Sequence, residues 1–133
     1  MEKLTLDGLI FSATEINIDN HILTITLNRP EKKNAINNVM MNELNYAITY
    51  AKQEKNIRVV VINAKGDIFC AGADLSRADS ESNVPELDYA NDISLSLRHL
   101  YKPVICSIQG SVLAGALLMV TNSTHAIAVK DAK

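Results

Sequence analysis

Hydrophobic and polar residues alternate near the start of the chain and then take on a helical period. Two segments rich in Ile and Thr, residues 12–18 and 21–27, flank the pair Asp19-Asn20, which tolerates the positive φ angles of a two-residue turn. This pattern predicts a β-hairpin. Apolar residues then recur on one face over residues 37–54, where Asn37 is the residue type that caps a helix.

The rest of the pattern predicts strands that alternate with helices. The nearly continuous apolar run 58–64 is typical of a parallel strand covered on both faces, which requires a crossover connection. Residues 76–86 offer little to bury and predict a mobile loop. Further elements are expected in the order helix 88–101, strand 104–108, turn at Gly110, buried helix 113–120 that is apolar on all sides, and strand 125–129.

Composition places these elements in one domain. The chain has 133 residues, of which 47% are hydrophobic, enough for a single core. A net charge of −2, with no long basic cluster, lacks the footprint of nucleic-acid binding. The N-terminus has no apolar core of a secretory signal, so we expect the cytoplasm.

Residues 103–129 contain no Asp, Glu, Lys or Arg and are long enough to span a membrane. Pro, Gly and polar residues cut this run into three short pieces, so buried strands and a helix are favoured over a membrane hairpin. The remaining candidate ligands are scattered. Cys70 and Cys106 lie far apart and outside any C-x-x-C spacing, so we expect reduced structural thiols and no metal site.

Two strand-to-helix junctions rich in small residues, 69–75 and 109–116, are candidate places for chemistry. Small side chains let a ligand approach the backbone, and the N–H groups at the start of a helix are unpaired donors. Two such junctions side by side would aim two N–H groups at one oxygen and stabilise negative charge on it. Tight packing of the turns explains the same residues, and spacing alone leaves both interpretations open.

Three motifs occur in order along the chain. They are Asn-Arg-Pro-Glu-Lys-Lys-Asn-Ala-Ile at 28–36, Phe-Cys-Ala-Gly-Ala-Asp-Leu at 69–75, and Lys-Pro-Val-Ile-Cys-Ser-Ile-Gln-Gly at 102–110, followed by Leu-Ala-Gly at 113–115. In residues, order and spacing they resemble the crotonase family of enoyl-CoA hydratases and isomerases. The resemblance implies an α/β fold of repeated ββα units: an N-terminal β-hairpin, then strand and helix crossovers. Residues 1–133 would be the N-terminal portion of one such domain, truncated before its C-terminal helical part.

The resemblance also implies a site. The main-chain N–H groups of Ala73 and Gly115 would form an oxyanion hole for a thioester carbonyl, and Asp74 would support the loop that presents Ala73. Lys32 or Arg29 would face the phosphates of coenzyme A, unless these charges form only a solvated loop face. Coenzyme A would enter as part of an acyl-CoA or enoyl-CoA substrate, with no permanently bound cofactor. The remaining residues expected to contact coenzyme A, largely through the main chain, are Lys33, Ala35, Ala71 and Leu75.

One departure from the family pattern bears on the reaction. Leu118 stands where family hydratases carry the first catalytic glutamate, and leucine cannot transfer a proton. Single-base isomerase chemistry is therefore favoured over two-glutamate hydration. The family segment that bears the second acid lies past residue 129, so no proton-transfer residue is assigned and we expect the chain to be inactive alone. The alternative is a non-catalytic module that binds acyl-CoA.

A second departure leaves the proposed donor in place. Ala114-Gly115-Ala116 replaces the family's Gly-Gly-Gly, which keeps the donor glycine and adds two methyl groups beside it. The resemblance further implies a parent protein that is a homotrimer or hexamer. The chain itself is expected to self-associate through the helix around Leu117 and the unpaired edge of the last strand.

Overall fold

A five-stranded sheet covered on one face by helices forms the body of the protein. The computed structural model describes residues 3–74, 82–87, 93–114 and 116–130, and of Leu118 only the main chain. The elements are β1 (Thr14–Asp19), β2 (Ile22–Leu27), a 3-10 turn (Pro30–Lys32), α1 (Asn38–Gln53), β3 (Val59–Ala64), β4 (Ile68–Cys70), α2 (Ile93–Arg98), β5 (Val104–Ile108), β6 (Ser111–Val112), α3 (Ala116–Thr121) and β7 (His125–Ala128).

The strands form two sheets. The main sheet has the order β1-β2-β3-β5-β7, while β4 and β6 pair separately in a two-stranded sheet. Only β1 and β2 are antiparallel, and the other pairs are parallel. The expected α/β architecture of a hairpin followed by crossovers is confirmed. Both β4 and β6 were absent from the sequence prediction, because two or three residues are too short to show a period.

The core lies between the main sheet and α1. Alternate residues of β2, β3 and β5 point to the same face and are fully or almost fully buried, as the two-residue period of a strand requires. The inward residues of these strands are Leu23, Ile25, Leu27, Val60, Ile62, Val104, Cys106 and Ile108. The side of α1 that faces them supplies Met40, Leu44, Ala47, Ile48 and Ala51.

The helix α1 has the limits that the pattern predicted. The Asn37 side chain accepts a hydrogen bond from the Met40 N–H at 2.9 Å, which satisfies one of the free donors of the first turn. At the other end, Glu54 is the C-terminal capping residue. Glu43 of this helix is buried, and its carboxylate accepts from the N–H and hydroxyl groups of Thr14 and from the N–H of Ala13.

The hairpin turn differs from the prediction by one residue. Asp19 pairs with Ile22, so the turn consists of Asn20 and His21 rather than Asp19 and Asn20. Both turn residues have positive φ angles, 49° and 67°, as a two-residue type I′ turn demands. Asn and His adopt positive φ angles more readily than most residues, so His21 fits this turn. The prediction missed it because His is not among the residues that usually mark such a turn.

The uncharged run 103–129 folds as β5, β6, α3 and β7. No helix within the described residues is long and apolar enough to cross a membrane. The predicted burial of α3 on all sides is wrong: Ala116 and Met119 are buried, but Leu117 is 50% exposed. Its predicted start at residue 113 is also too early, because the Leu113 N–H is held by the Cys70 carbonyl at 3.0 Å.

Two further predictions about coverage need correction. On the face of β3 away from the core, Val59, Val61 and Asn63 are only half-buried, so this strand is not fully covered on both faces within the described residues. The strand β7 forms as predicted but every residue in it is exposed. It lies at the edge of the sheet, where one side has no strand partner among the described residues.

The predicted loop and the helix after it fall partly outside the described residues, which omit 75–81 and 88–92. Residues 82–87 form no regular element, as expected. They are attached to α1, since the Asn42 side chain donates to the Val84 carbonyl at 2.7 Å and Val84 is buried.

Candidate active site

Pairing between β4 and β6 brings the two small-residue junctions together. The pairing is parallel, so both strands run towards the same edge and their following residues emerge side by side. Gly110 allows the approach, because a Cβ atom there would lie 1.9 Å from the Asp67 carbonyl oxygen. The Leu113 N–H then donates to the Cys70 carbonyl at 3.0 Å and extends the contact past the strands.

Hydrogen bonding sets the direction of the Ala73 N–H group. The Gly72 carbonyl accepts from the Ile36 N–H at 2.7 Å. In a trans peptide the C=O and N–H groups point in opposite directions, and no described peptide bond is cis, so the Ala73 N–H points away from Ile36. Ala73 is exposed, and no described carbonyl accepts from its N–H.

Gly72 supplies the bend that presents this group. Its φ angle is +95°, a conformation that favours glycine. After it the chain returns to the same neighbouring segment, because the Asp74 N–H donates to the Ile36 carbonyl at 2.8 Å. Ala73 is thus held on both sides by hydrogen bonds of its neighbours, while its own N–H points away from Ile36.

The second junction is described up to the residue before the expected donor. Ala114 is exposed and has a φ angle of +49°, which an alanine adopts only at a cost in backbone energy. Gly115 lies outside the described residues. Helix α3 follows directly, and its Ala116 N–H donates to the Leu113 carbonyl at 3.1 Å.

An ion pair ties the Ala73 loop to the preceding motif. Arg29 donates to the Asp74 carboxylate at 3.2 Å, and the same guanidinium donates to the Ala35 carbonyl. Both contacts of the Arg29 guanidinium are therefore made within the protein, and its side chain is only 14% exposed. Lys32, the other residue expected to face a phosphate, is exposed.

Asn34 holds the same region together, a role that sequence reasoning missed. Its side chain is buried, accepts from the Arg29 N–H at 2.8 Å, and donates to the carbonyls of Lys65 and Ile68 at 2.8 and 2.9 Å. Its φ angle is +54°. An asparagine at the end of a charged loop, four residues after Pro30, is the signal that could have indicated this role, because asparagine tolerates a positive φ angle.

The residues expected to contact coenzyme A lie around this loop. Lys33 is exposed, and its carbonyl accepts from the Ala71 N–H at 3.0 Å. Ala35 and Ala71 are half-buried. Leu75 lies outside the described residues. The structure therefore brings Lys33, Ala35 and Ala71 next to Ala73, while it leaves the positions of Leu75 and Gly115 undescribed.

The buried groups near the site are not proton-transfer groups or nucleophiles. Burial raises the pKa of the Cys70 thiol, which donates to the Asn34 carbonyl, and raises the pKa of Cys106 to about 11. Both cysteines are free and remain thiols at neutral pH. Within the described part of the chain no cluster of His, Cys, Asp or Glu could hold a metal ion.

The sheet, the crossovers and the paired junctions define an α/β protein of the enoyl-CoA hydratase/isomerase class. The family model described as Enoyl-CoA hydratase/isomerase matches residues 17–133, and the chain belongs to this family. The resemblance read from the three motifs is thereby confirmed.

Individual relatives span several activities. The chain is 39% identical over 107 residues to a trans-2-decenoyl-[acyl-carrier-protein] isomerase of Streptococcus mutans, covering 75% of this chain and 41% of that protein. It is 32% identical over 126 residues to the mitochondrial Delta(3,5)-Delta(2,4)-dienoyl-CoA isomerase of mouse, covering 84% and 38%. A crystal structure of a probable enoyl-CoA hydratase from Mycobacterium thermoresistibile matches with a TM-score of 0.76 and 34% identity, over 90% of this chain and 51% of that one. The chain thus spans about half the length of these relatives or less.

Proposed function

We propose that this chain supplies the oxyanion-hole half of an enoyl-thioester isomerase. The observation that carries the proposal is that Ala73 is exposed and its N–H is directed away from the segment that holds its loop. Gly115, which lies within the second junction, would provide the other donor. Both donors act through the main chain, so the arrangement depends on backbone geometry more than on side chains.

The proposed chemistry passes through an enolate. Removal of a proton from the carbon next to the thioester carbonyl moves negative charge onto the carbonyl oxygen. Two N–H groups fixed in advance stabilise that oxygen in the transition state, at no further cost of reorganisation. The same proton is then returned to a carbon further along the acyl chain of the substrate, which shifts the double bond. One base is enough to move this proton, whereas the addition of water in family hydratases uses two glutamates.

Isomerisation is favoured over hydration by Leu118, since leucine cannot serve as the acid that hydration needs. Isomerases also occur among the relatives. The base itself is not assigned. Glu43 is an unsuitable candidate because its buried carboxylate already accepts hydrogen bonds from the N–H groups of Ala13 and Thr14.

Two alternatives remain for the same site. The first is a non-catalytic module that binds acyl thioesters and keeps the oxyanion hole without a base. The second concerns the carrier of the acyl group. Coenzyme A is the carrier that the motifs imply, but the Streptococcus mutans relative has an acyl carrier protein in its name. An acyl-carrier-protein thioester is therefore a second candidate substrate.

The test is a binding experiment on the purified chain labelled with ¹⁵N. We expect butyryl-CoA to shift the Ala73 amide resonance, because its carbonyl oxygen accepts from that N–H. The matched control is S-butyl-CoA, a thioether that lacks only the carbonyl oxygen. Equal shifts from both ligands, or none from either, would contradict the proposal.

A turnover assay separates the catalytic and the non-catalytic versions. We expect the 133-residue chain alone to leave a 3-enoyl thioester unchanged, because no base is assigned within it. Efficient conversion by the pure chain would show that a base lies within these residues. A longer version of the chain that gains activity would support the isomerase, and one that only binds would support the non-catalytic module.

A further inference from the structure

A cavity of about 350 Å³ lies beside the first junction. It is lined by Pro30, Lys33, Lys65, Gly66, Asp67 and Ile68. Two of its lining residues connect it to the candidate site. Ile68 begins β4, which leads directly to Ala71, and the Lys33 carbonyl accepts a hydrogen bond from the Ala71 N–H. The cavity therefore adjoins the segment that leads to Ala73.

The charges of the cavity lining balance one another. Lys65 is already paired, since its ammonium contacts the Glu15 carboxylate at 2.5 Å. Within the described residues, Lys33 has no ion-pair partner, and it is exposed. Asp67 is exposed too and adds a carboxylate to the same lining. The cavity thus presents one unpaired cation together with one anion, and no excess of positive charge.

This balance matters for the choice of carrier. Coenzyme A extends pantetheine with a nucleotide that bears a diphosphate and a separate 3′-phosphate. An acyl carrier protein presents the same pantetheine through a single phosphodiester. A carboxylate in the lining repels the highly charged nucleotide more strongly than a single phosphodiester, and such repulsion is a common source of specificity.

We propose that Asp67 is a specificity-determining residue that disfavours the phosphorylated nucleotide of coenzyme A relative to a pantetheine thioester on a single phosphate. This inference rests on the proposed thioester function and adds the carrier to it. The shared chemistry is the pantetheine thioester, and Asp67 acts on the part of the carrier in which the two sources differ.

The experiment compares two probes, butyryl-CoA and S-butyryl-4′-phosphopantetheine, by titration into the purified chain at low salt. We expect Asp67→Asn to bind butyryl-CoA about 3-fold more tightly than the original chain, and Asp67→Lys about 10-fold. Binding of the phosphopantetheine probe should change less, so the preference between the probes shifts. Added salt should reduce the shift, because the charges are exposed.

Asp19→Lys is the matched control, since it makes the same change of net charge at the hairpin end of β1. An unchanged preference in both Asp67 variants, or an equal shift in Asp19→Lys, would overturn the inference. The Ala73 amide resonance distinguishes failure of the role of Asp67 from failure of the proposed thioester function. If both probes shift it while the preference is unaffected by residue 67, only the role of Asp67 is wrong. If neither probe shifts it, the thioester function fails as well.

Discussion

Arg29 and Asp74 are separated by 45 positions in the sequence, yet the guanidinium and the carboxylate are 3.2 Å apart and their side chains are only 14% and 13% exposed. The pair fixes the loop that carries Ala73 against the segment that ends at Ile36. Its contribution should therefore appear both in stability and in ligand binding.

Asp74→Ala should lower the free energy of unfolding by about 1–3 kcal/mol, because it leaves a nearly buried guanidinium without its charged partner. It should also weaken the response of the Ala73 amide to butyryl-CoA, since the loop is held less firmly. Urea unfolding measures the first effect and ¹⁵N titration the second. Glu15→Ala breaks the exposed pair with Lys65 and should cost at most about 0.5 kcal/mol. Equal losses in the two variants would contradict this assignment.

Gly110→Ala should be strongly destabilising. The added Cβ would meet the Asp67 carbonyl oxygen at 1.9 Å, so the backbone before β4 must move. We expect a loss of about 2–4 kcal/mol in urea unfolding. Gly8→Ala is the matched control: its φ angle is +74° but its surroundings are open, so only the backbone cost of about 1 kcal/mol applies. A Gly110→Ala protein as stable as the control would show that the two junctions are not in close contact.

Stability should fall at alkaline pH because of Cys106. Burial raises the pKa of this thiol to about 11 from an ordinary value of 9.0. The folded protein therefore holds the proton more tightly than the unfolded chain. The resulting stability is fully present below pH 9 and is lost as the pH rises through 11, by an amount on the order of 2 kcal/mol.

The measurement is the free energy of unfolding in urea at several pH values from 8 to 11. Cys106→Ala removes the titrating group, so its stability should fall less steeply over this range. It starts lower at pH 8, because the smaller side chain leaves a cavity. Parallel pH profiles for the two proteins would show that Cys106 is not responsible, and would direct attention to Cys70, whose pKa is also raised by burial.

Self-association should depend on β7. Ile127 is 62% exposed on this strand, and Val129 just after it is 52% exposed. An apolar edge strand with free backbone groups pairs readily with other chains. We expect the chain to form oligomers as its concentration rises, and Ile127→Lys to reduce their fraction in sedimentation velocity. Thr5→Lys, at an exposed position in the N-terminal segment, should have no such effect. A monomer at all concentrations would refute the expectation.

The elements that the sequence predicted well are those with a long period or a clear terminal signal. Helix α1 begins after Asn37 and ends before its capping residue Glu54, close to the expected limits, since its apolar face extends over several turns. The strand β5 has the predicted limits because Pro103 and Gly110 bound an apolar run. Exposure was harder to predict. The apolar composition of α3 and β7 suggested burial, but composition does not show whether another part of the protein packs against each face of an element.

The sequence named candidate residues for the site but not the contacts that position them. The motifs singled out Ala73, but the direction of its N–H depends on a hydrogen bond between Ile36 and Gly72, which are far apart in sequence. Asn34 was inside a motif, yet its buried amide also contacts Lys65 and Ile68, which are more than 30 positions away in the sequence. Such contacts arise from tertiary packing and leave no local pattern in the chain.

The two junctions are joined by the small β4–β6 ribbon, which is separate from the main sheet. A ribbon of two very short strands has few backbone bonds to lose, so it can open while the main sheet stays folded. Its amides should exchange with deuterium faster than those of β2 and β3. Under the proposed function, thioester binding would then be lost at a lower temperature than the one at which the protein unfolds, and this loss would be reversible on cooling.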